Sequence, residues 1–383
     1  MSNIVVTPIP LAQMRTHRST KWRDFPADVL PLPVAEMDFE IAEPIRTLLL
    51  EMVSHSDLGY LGSIPEVGTS FAKFAQMRWN WTVDPEQVHI VTDVGVGVVE
   101  VLRVLTQPGD KVLINSPVYH NFSTWIEETH VTKVDVPFGD VNSGYAIDFD
   151  GIENAYKSGV KIHLLCSPHN PLGRVYSRAE LLKLVALAKE YKVIIISDEI
   201  HAPLTFSETQ FIPFLSVGQD AQDLGVTVTA ASKAWNLAGL KCAFVVSQSE
   251  TMNSKLAALP EATHYRASLL GAFATATAFA EGGDWLDGAL RTLDENRHFL
   301  KTLLSEKLPT VTYEIPACSY LAWIDLASLN LGDNPAKTLL EKGRVAFNPG
   351  ESFSPNAQQY IRLNFATGHD VLEEAVNRII KSL

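Results

Sequence analysis

Helical patterns and short apolar segments alternate along the chain between residues 44 and 250. Amphipathic stretches predict helices at residues 67–79 and 96–105. Apolar, β-branched segments predict strands at residues 88–92, 111–115, 161–167, 193–197, 226–230 and 242–247. Strands that are buried on both faces and separated by helices form mostly parallel sheets covered by helices on both sides. This part of the chain therefore predicts a large α/β domain, in which Ser177 and Glu180 form a capping box at one helix start.

The pattern changes after about residue 284. A long helix is predicted at residues 285–307, followed by strand-like segments at 310–314, 320–326 and 360–365 and a last helix from Asp370. The first 43 residues are irregular and rich in proline, which is typical of an arm that lies over another part of the molecule. We therefore predict an N-terminal arm (1–43) that joins a small α+β domain (284–383), and a large domain (44–283) between them.

Charge and composition exclude several classes of function. The 383 residues carry a net charge of −13, which disfavours binding to nucleic acid or to anionic membrane surfaces. The start of the chain lacks the pattern of a signal peptide, and no stretch of 18 apolar residues predicts a membrane span. Three scattered cysteines (Cys166, Cys242 and Cys318) predict a reducing, cytoplasmic setting without disulfides, and no residue spacing predicts a metal site.

Chemically active side chains follow the predicted parallel strands. Ligands bind beyond the carboxyl ends of the strands in an open α/β sheet, so residues at these positions are expected to converge. They are a helix start (Val94, Gly95, Val96) after residues 88–92, Tyr119 after 111–115, Asn170 after 161–167, Asp198 after 193–197, and Ser232 with Lys233 after 226–230.

These groups match the requirements of pyridoxal 5′-phosphate (PLP). The cofactor needs an amine for a Schiff base, for which Lys233 is the candidate, and an anion beside its pyridinium nitrogen, for which Asp198 is the candidate. Its phosphate suits the helix start at Gly95, and its flat ring suits the aromatic face of Tyr119. The sequence therefore predicts a PLP-binding site.

Six ordered motifs resemble those of fold-type I PLP-dependent enzymes in the class I/II aminotransferase superfamily. Within it they are most similar to the PatB/MalY-type carbon–sulfur β-lyases, the cystathionine β-lyase-like branch. The motifs are LPVAEMDFEIAEPI (32–45), SPVYHNF (116–122), SPHNPLGRVYS (167–177), SDEIH (197–201), ASKAWNLAGLK (231–241) and RLNFAT (362–367). The resemblance extends over nearly the whole chain and implies a fold-type I transferase architecture.

The resemblance also implies a role for each residue around the cofactor ring. Lys233 is the Schiff-base amine and the base that takes the proton from the substrate Cα, and Asp198 pairs with the pyridinium nitrogen. Asn170 donates a hydrogen bond to the 3′-oxygen, and Tyr119 stacks on the ring. His201 stands where many aminotransferases have a tyrosine, and we expect it to influence the 3′-oxygen by protonation near neutral pH.

The same resemblance implies how the phosphate and the substrate are bound. Ser232 and Lys241 contact the phosphate, with lysine in place of the usual arginine at 241, and many relatives have glycine where this chain has Asp93. Tyr60 reaches the phosphate of a neighbouring subunit, which implies a homodimer with shared active sites. Arg362 binds the α-carboxylate of the amino-acid substrate.

The implied reaction is β-elimination from cystathionine or a related cysteine S-conjugate, which gives a thiol, pyruvate and ammonia. An aminotransferase would share the step in which the Cα proton is removed, and only His201 and the VAEMDF sequence favour the lyase. A non-catalytic regulatory protein that holds PLP is a third possibility. It would need Lys233 but would not need Arg362.

Overall fold

The computed structural model describes residues 4–383, so the first three residues of the predicted arm lie outside the described part. The described chain forms a seven-stranded, a four-stranded and a two-stranded sheet. The strands are β1 (Leu30–Pro31), β2 (Val88–Val91), β3 (Lys111–Ile114), β4 (Thr132–Asp135), β5 (Val160–Cys166), β6 (Ile194–Asp198), β7 (Gly225–Thr229), β8 (Ala243–Val246), β9 (Thr312–Tyr313), β10 (Leu321–Asp325), β11 (Val345–Ala346), β12 (Asn348–Pro349) and β13 (Tyr360–Asn364).

The central sheet has the strand order β2-β8-β7-β6-β5-β3-β4. Strands β4, β3, β5, β6 and β7 are parallel, whereas β8 is antiparallel to both of its neighbours. The predicted α/β class with a mostly parallel sheet is therefore confirmed. The prediction missed β4, an edge strand whose residues are mostly exposed and lack an apolar run.

Helices cover the central sheet and make up much of the C-terminal part. They are α1 (Leu11–Met14), α2 (Thr20–Arg23), α3 (Glu43–Ser54), α4 (Pro65–Trp79), α5 (Val94–Leu105), α6 (Asn121–Glu128), α7 (Phe149–Lys157), α8 (Arg178–Tyr191), α9 (Gln219–Leu224), α10 (Glu250–Leu256), α11 (Glu261–Tyr265), α12 (Leu269–Glu281), α13 (Gly283–Lys307), α14 (Pro335–Thr338) and α15 (His369–Ile380). The predicted capping box is present at the start of α8, where the side chains of Ser177 and Glu180 each accept a hydrogen bond from the other residue's backbone N–H.

Two apolar clusters lie on opposite faces of the central sheet. In β3, Leu113 belongs to one cluster, whereas Val112 and Ile114 belong to the other, because successive side chains of a strand point to opposite faces. These layers hold the strands in register, and Cys166 of β5 is paired with Asp198 of β6. The fold thus fixes Asp198 at the carboxyl edge of the sheet.

The N-terminal arm pairs with the C-terminal part of the chain. Strand β1 is parallel to β11, and Asp28 accepts two hydrogen bonds from the Arg344 guanidinium at 2.6 and 3.0 Å. Strands β12, β13, β10 and β9 form the separate antiparallel sheet. These contacts agree with an arm that joins a small C-terminal domain, although the boundaries at residues 43 and 283 stay a prediction.

Candidate active site

A cavity of about 670 Å³ opens at the carboxyl ends of the central strands. Its walls come from the arm, from the loops after β2, β3, β5, β6 and β7, and from β13. Eleven of the twelve predicted site residues line it: Val94, Gly95, Val96, Tyr119, Asn170, Asp198, His201, Ser232, Lys233, Lys241 and Arg362. The tertiary structure therefore brings together residues that are spread over 269 positions of sequence, as expected for an open α/β sheet.

Lys233 follows β7 and points its amine toward the arm. Its Nζ donates a hydrogen bond to the carbonyl oxygen of Ala35 at 3.0 Å. Burial and the nearby Arg362 guanidinium lower the pKa of Lys233 from 10.5 to about 8, against the opposing effect of the Glu36 and Asp198 carboxylates. A substantial fraction of the amine is therefore neutral near pH 8, which is the form that acts as a nucleophile or a base.

Asp198 is the last residue of β6, and its side chain is buried. One carboxylate oxygen accepts a hydrogen bond from the backbone N–H of Ile200 at 3.2 Å. Burial raises the pKa of Asp198 from 3.8 to about 7, although this N–H and the charge of Lys233 act in the opposite direction. The protein thus holds a carboxylate that a further positive charge in the cavity would stabilise.

Arg362 lies on β13 and is 3% exposed. One terminal nitrogen donates to Oδ1 of Asn170 at 3.0 Å, and the other donates to the Pro33 carbonyl at 3.0 Å. The guanidinium lies 4.9 Å from the ring centre of Phe353, and its buried Nε has no partner in the described chain. Burial lowers the pKa of Arg362 to about 10, so the group stays cationic at neutral pH and can bind a carboxylate.

Tyr119 and His201 border the same cavity. The Tyr119 hydroxyl accepts a hydrogen bond from the Asn121 side chain at 2.9 Å, and burial raises the pKa of Tyr119. His201 is buried, with Nδ1 at 3.1 Å from the Ser319 hydroxyl. Burial, together with the charges of Lys233 and Arg362, lowers the pKa of His201 to about 3. The prediction that His201 is protonated near neutral pH is therefore wrong, because the ring is neutral there.

One of the three backbone N–H groups that were predicted to bind the phosphate at the start of α5 already has a partner within the protein. Asp93 is the N-cap residue, and its Oδ1 accepts the backbone N–H of Val96 at 2.9 Å. The N–H of Val96 is therefore occupied, which leaves Val94 and Gly95 as the free donors of the first turn. The other carboxylate oxygen of Asp93 pairs with Lys241 Nζ at 2.9 Å, and the Lys241 side chain is 55% exposed.

Tyr60 is the predicted residue that the structure places apart from the cavity. Its side chain is fully exposed, in the loop between α3 and α4, and Leu58 beside it is also exposed. The exposure is compatible with a role at a neighbouring subunit, which stays a prediction.

Two of the parts of the cavity wall that sequence reasoning missed bear on ligand binding. The first is a strap (residues 33–36), whose carbonyl groups accept hydrogen bonds from Arg362, Lys233 and Asn364. These are backbone acceptors, so side-chain motifs do not indicate them. The second is Trp125 of α6, which the sequence presents as an ordinary core position because it lies three residues after the buried Phe122.

The described residues give no indication of a metal site or of a membrane-spanning helix. Within residues 4–383, no group of three or more histidine, cysteine or acidic side chains is arranged to bind a metal ion. No helix in that part of the chain combines the length and the apolar character needed to cross a bilayer. All three cysteines are buried free thiols.

Comparison with known proteins gives a consistent assignment. The model of the family "Aminotransferase class I and II" matches residues 28–379. The cystathionine beta-lyase of Corynebacterium glutamicum is 35% identical, with 97% of this chain and 99% of that protein covered. The cystathionine beta-lyase PatB of Bacillus subtilis is 32% identical over 93% of each chain. The crystal structure of cystalysin from Treponema denticola, which contains a pyridoxal 5′-phosphate cofactor, superposes with a TM-score of 0.92 at 27% identity over 100% of this chain and 99% of that one. With a family match over most of its length, the chain belongs to the aminotransferase class I and II family.

Proposed function

We propose that this protein is a PLP-dependent carbon–sulfur lyase that cleaves cystathionine or a related cysteine S-conjugate by β-elimination. The observation that carries the proposal is one cavity in which a lysine of lowered pKa, a buried carboxylate and a buried arginine stand together. The first two groups suit the cofactor, and the third suits the carboxylate of an amino acid.

The cavity fits PLP on three grounds. The amine of Lys233 is held by a carbonyl rather than by a carboxylate, so it is available to bind an aldehyde. Burial raises the pKa of Asp198, because its carboxylate is desolvated without a cation bound directly to it. A pyridinium N–H would supply that cation and would stabilise the charged carboxylate. The free N–H groups at the start of α5 and the Ser232 side chain offer donors to a phosphate.

The residues divide the work of the reaction. Arg362 binds the α-carboxylate and orients the substrate, and Lys233 in its neutral form removes the proton from Cα. Asp198 would keep the ring nitrogen of the cofactor positively charged. The bound cofactor would then act as the sink for the electron pair released at Cα. The electron pair from Cα then forms a Cα–Cβ double bond while the Cβ–S bond breaks, and sulfur leaves with the bonding pair as a thiolate. Hydrolysis of the remaining unsaturated amino acid gives pyruvate and ammonia.

The choice of β-elimination rests on the relatives. Cystathionine beta-lyases match nearly the whole chain, whereas Lys233, Asp198 and Arg362 serve an aminotransferase equally well. The neutral state of His201 removes one argument for the lyase, since its protonation cannot then distinguish the two reactions near neutral pH. A purely regulatory PLP-binding protein would have no need of Arg362 as a carboxylate site.

Two progress curves on one preparation test the proposal. The first follows pyruvate and free thiol from cystathionine without a keto acid, and the second follows glutamate from 2-oxoglutarate with a panel of amino donors. We expect rapid pyruvate formation with thiol in equal amount, and Lys233→Ala as the matched control should form neither. Robust glutamate formation with negligible pyruvate would replace the lyase with an aminotransferase, and absence of both products would favour the regulatory alternative.

We also propose that the protein works as a homodimer in the cytoplasm. The exposed Leu58 and Tyr60 support a contact between subunits, through which Tyr60 would reach the phosphate site of the partner. The three free, buried cysteines support a reducing compartment. The division into residues 1–43, 44–283 and 284–383 is part of the same proposal and is supported by the pairing of β1 with β11.

A further inference from the structure

The phosphate end of the cavity has an unusual charge arrangement. Asp93 takes up two groups that a phosphate would use, the N–H of Val96 and the ammonium of Lys241, each at 2.9 Å. The Asp93 carboxylate also places a negative charge at the start of α5, where the helix dipole would otherwise stabilise a bound anion. A phosphate at this site therefore keeps the N–H groups of Val94 and Gly95 and the Ser232 hydroxyl as donors, and a further neutral donor would strengthen its binding.

An indole N–H faces the same place. Trp125 of α6 is 8% exposed and lines the cavity, and its Nε1 makes no hydrogen bond within the described part of the chain. An indole N–H is a donor without acceptor capacity, and it usually finds a hydrogen-bond partner when a ligand or protein group covers it. Trp125 Nε1 is not among the buried polar atoms that lack a partner, so it is accessible in the wall of the cavity and available to a ligand.

Gly95 shows how closely the indole approaches the first turn of α5. A Cβ on Gly95 would lie 3.0 Å from Nε1 of Trp125 and 3.2 Å from its Cζ2, closer than ordinary van der Waals contact. The edge of the indole therefore occupies the space where a side chain at position 95 would project. The ring is held by Phe122, whose centroid lies 5.1 Å away, and by Tyr119 at 6.1 Å.

We propose that Trp125 donates its indole N–H to the phosphate group of the cofactor and is a phosphate ligand of this site. The proposal rests on the proposed function, since it requires that PLP be the occupant. It gives a partner to an indole N–H that makes no hydrogen bond within residues 4–383 and that lies beside the first turn of α5. It also provides a neutral donor where Asp93 engages the cation of Lys241.

Equilibrium dialysis of the full-length apoprotein with PLP and with pyridoxal, which lacks the phosphate, tests the assignment. Trp125→Phe keeps the ring and removes the N–H. We expect it to weaken PLP binding about tenfold, or about 1.4 kcal/mol, while pyridoxal binding changes less than twofold. Trp79→Phe is the matched control, because Trp79 packs on Phe71 and Phe74 and does not line the cavity. It should leave both affinities unchanged.

The outcomes separate this inference from the proposed function. Equal losses for PLP and pyridoxal in Trp125→Phe would assign a packing role to the indole, and no loss for either would show that its N–H contacts no phosphate. Either result overturns the inference. A wild-type protein that binds neither compound would instead overturn the proposed function.

A second pair of variants tests the same contact without relying on one substitution. Gly95→Ala introduces a Cβ 3.0 Å from the indole Nε1, so the ring must move by a few tenths of an ångström and PLP binding should also weaken selectively. In Gly95→Ala/Trp125→Phe the smaller phenyl ring leaves room for the methyl group, and the two losses should therefore not add. Strictly additive losses would show that the two residues act at separate points and would contradict the shared phosphate site.

Discussion

Asp198→Asn is expected to stabilise the apoprotein at alkaline pH although it removes activity. Burial raises the pKa of Asp198 from 3.8 to about 7, so the folded apoprotein retains a proton there that the unfolded chain has already lost. A folded pKa above the unfolded value means that stability decreases as the pH rises from about 4 to 7 and then levels off. Asparagine does not titrate, so the variant lacks this loss.

The magnitude follows from the two pKa values. Between about pH 5 and pH 7 the folded carboxyl keeps a proton that the unfolded chain lacks, and these two pH units correspond to roughly 3 kcal/mol at 1.36 kcal/mol per unit, with little further change up to pH 8. Unfolding entropies are about 2.1 cal/mol/K per residue, which gives about 0.8 kcal/mol/K for this chain of 383 residues. The difference in melting temperature between Asp198→Asn and wild type should therefore grow by about 4 °C from pH 5 to pH 8.

The assay is thermal unfolding of the two apoproteins at both pH values, followed by circular dichroism. Asp333→Asn is a suitable control, because Asp333 is exposed and its substitution should not change the melting temperature in this pH-dependent way. A melting-temperature difference that is the same at both pH values would show that Asp198 does not carry a raised pKa. With PLP bound, lyase activity of Asp198→Asn should fall by roughly a hundredfold or more, because an amide does not provide the charge at the ring nitrogen.

Three other predictions concern single residues of the site. Covalent attachment of PLP requires the neutral amine of Lys233, so the rate of cofactor incorporation should rise with pH through the pKa of about 8. Absorbance follows the incorporation, and a pH-independent rate would contradict the lowered pKa. Arg362→Ala should raise KM for the amino acid about 10- to 100-fold through the lost charged hydrogen bonds while the bound cofactor keeps its absorbance; unchanged KM and kcat would place the carboxylate site elsewhere. Mixing inactive Lys233→Ala with Tyr60→Ala should restore part of the activity, because a hybrid dimer has one site with both an intact Lys233 and an intact Tyr60 from the other subunit. No recovery after verified subunit exchange would exclude a Tyr60 contact in trans.

Local sequence patterns were sufficient to predict the central sheet and the position of its active groups. Six of its seven strands were predicted to within about one or two residues, since apolar β-branched runs and their turn signals are local. The capping box at Ser177 was also predicted, because its two partners are three residues apart. The exposed edge strand β4 was missed because it carries no apolar run to mark it.

The residues at the strand ends could be predicted because parallel strands carry their carboxyl ends to one edge. That rule brings Asp198, Lys233 and Asn170 together whatever the details of packing. The family resemblance added Arg362, which lies on a different sheet and which no strand-end rule would select.

The sequence by itself therefore determined the fold class, the family and eleven residues of the cavity wall, among them the lysine, the carboxylate and the arginine on which the proposed chemistry depends. Only the tertiary structure decided their electrostatic state, since the pKa values of Lys233, Asp198 and His201 depend on burial and on charges far away in sequence. It also decided that the Ala35 carbonyl, 198 residues before Lys233, receives the amine, and that the indole of Trp125 faces the start of α5. These contacts join distant segments through the packing of the whole chain, and no local period or motif encodes them.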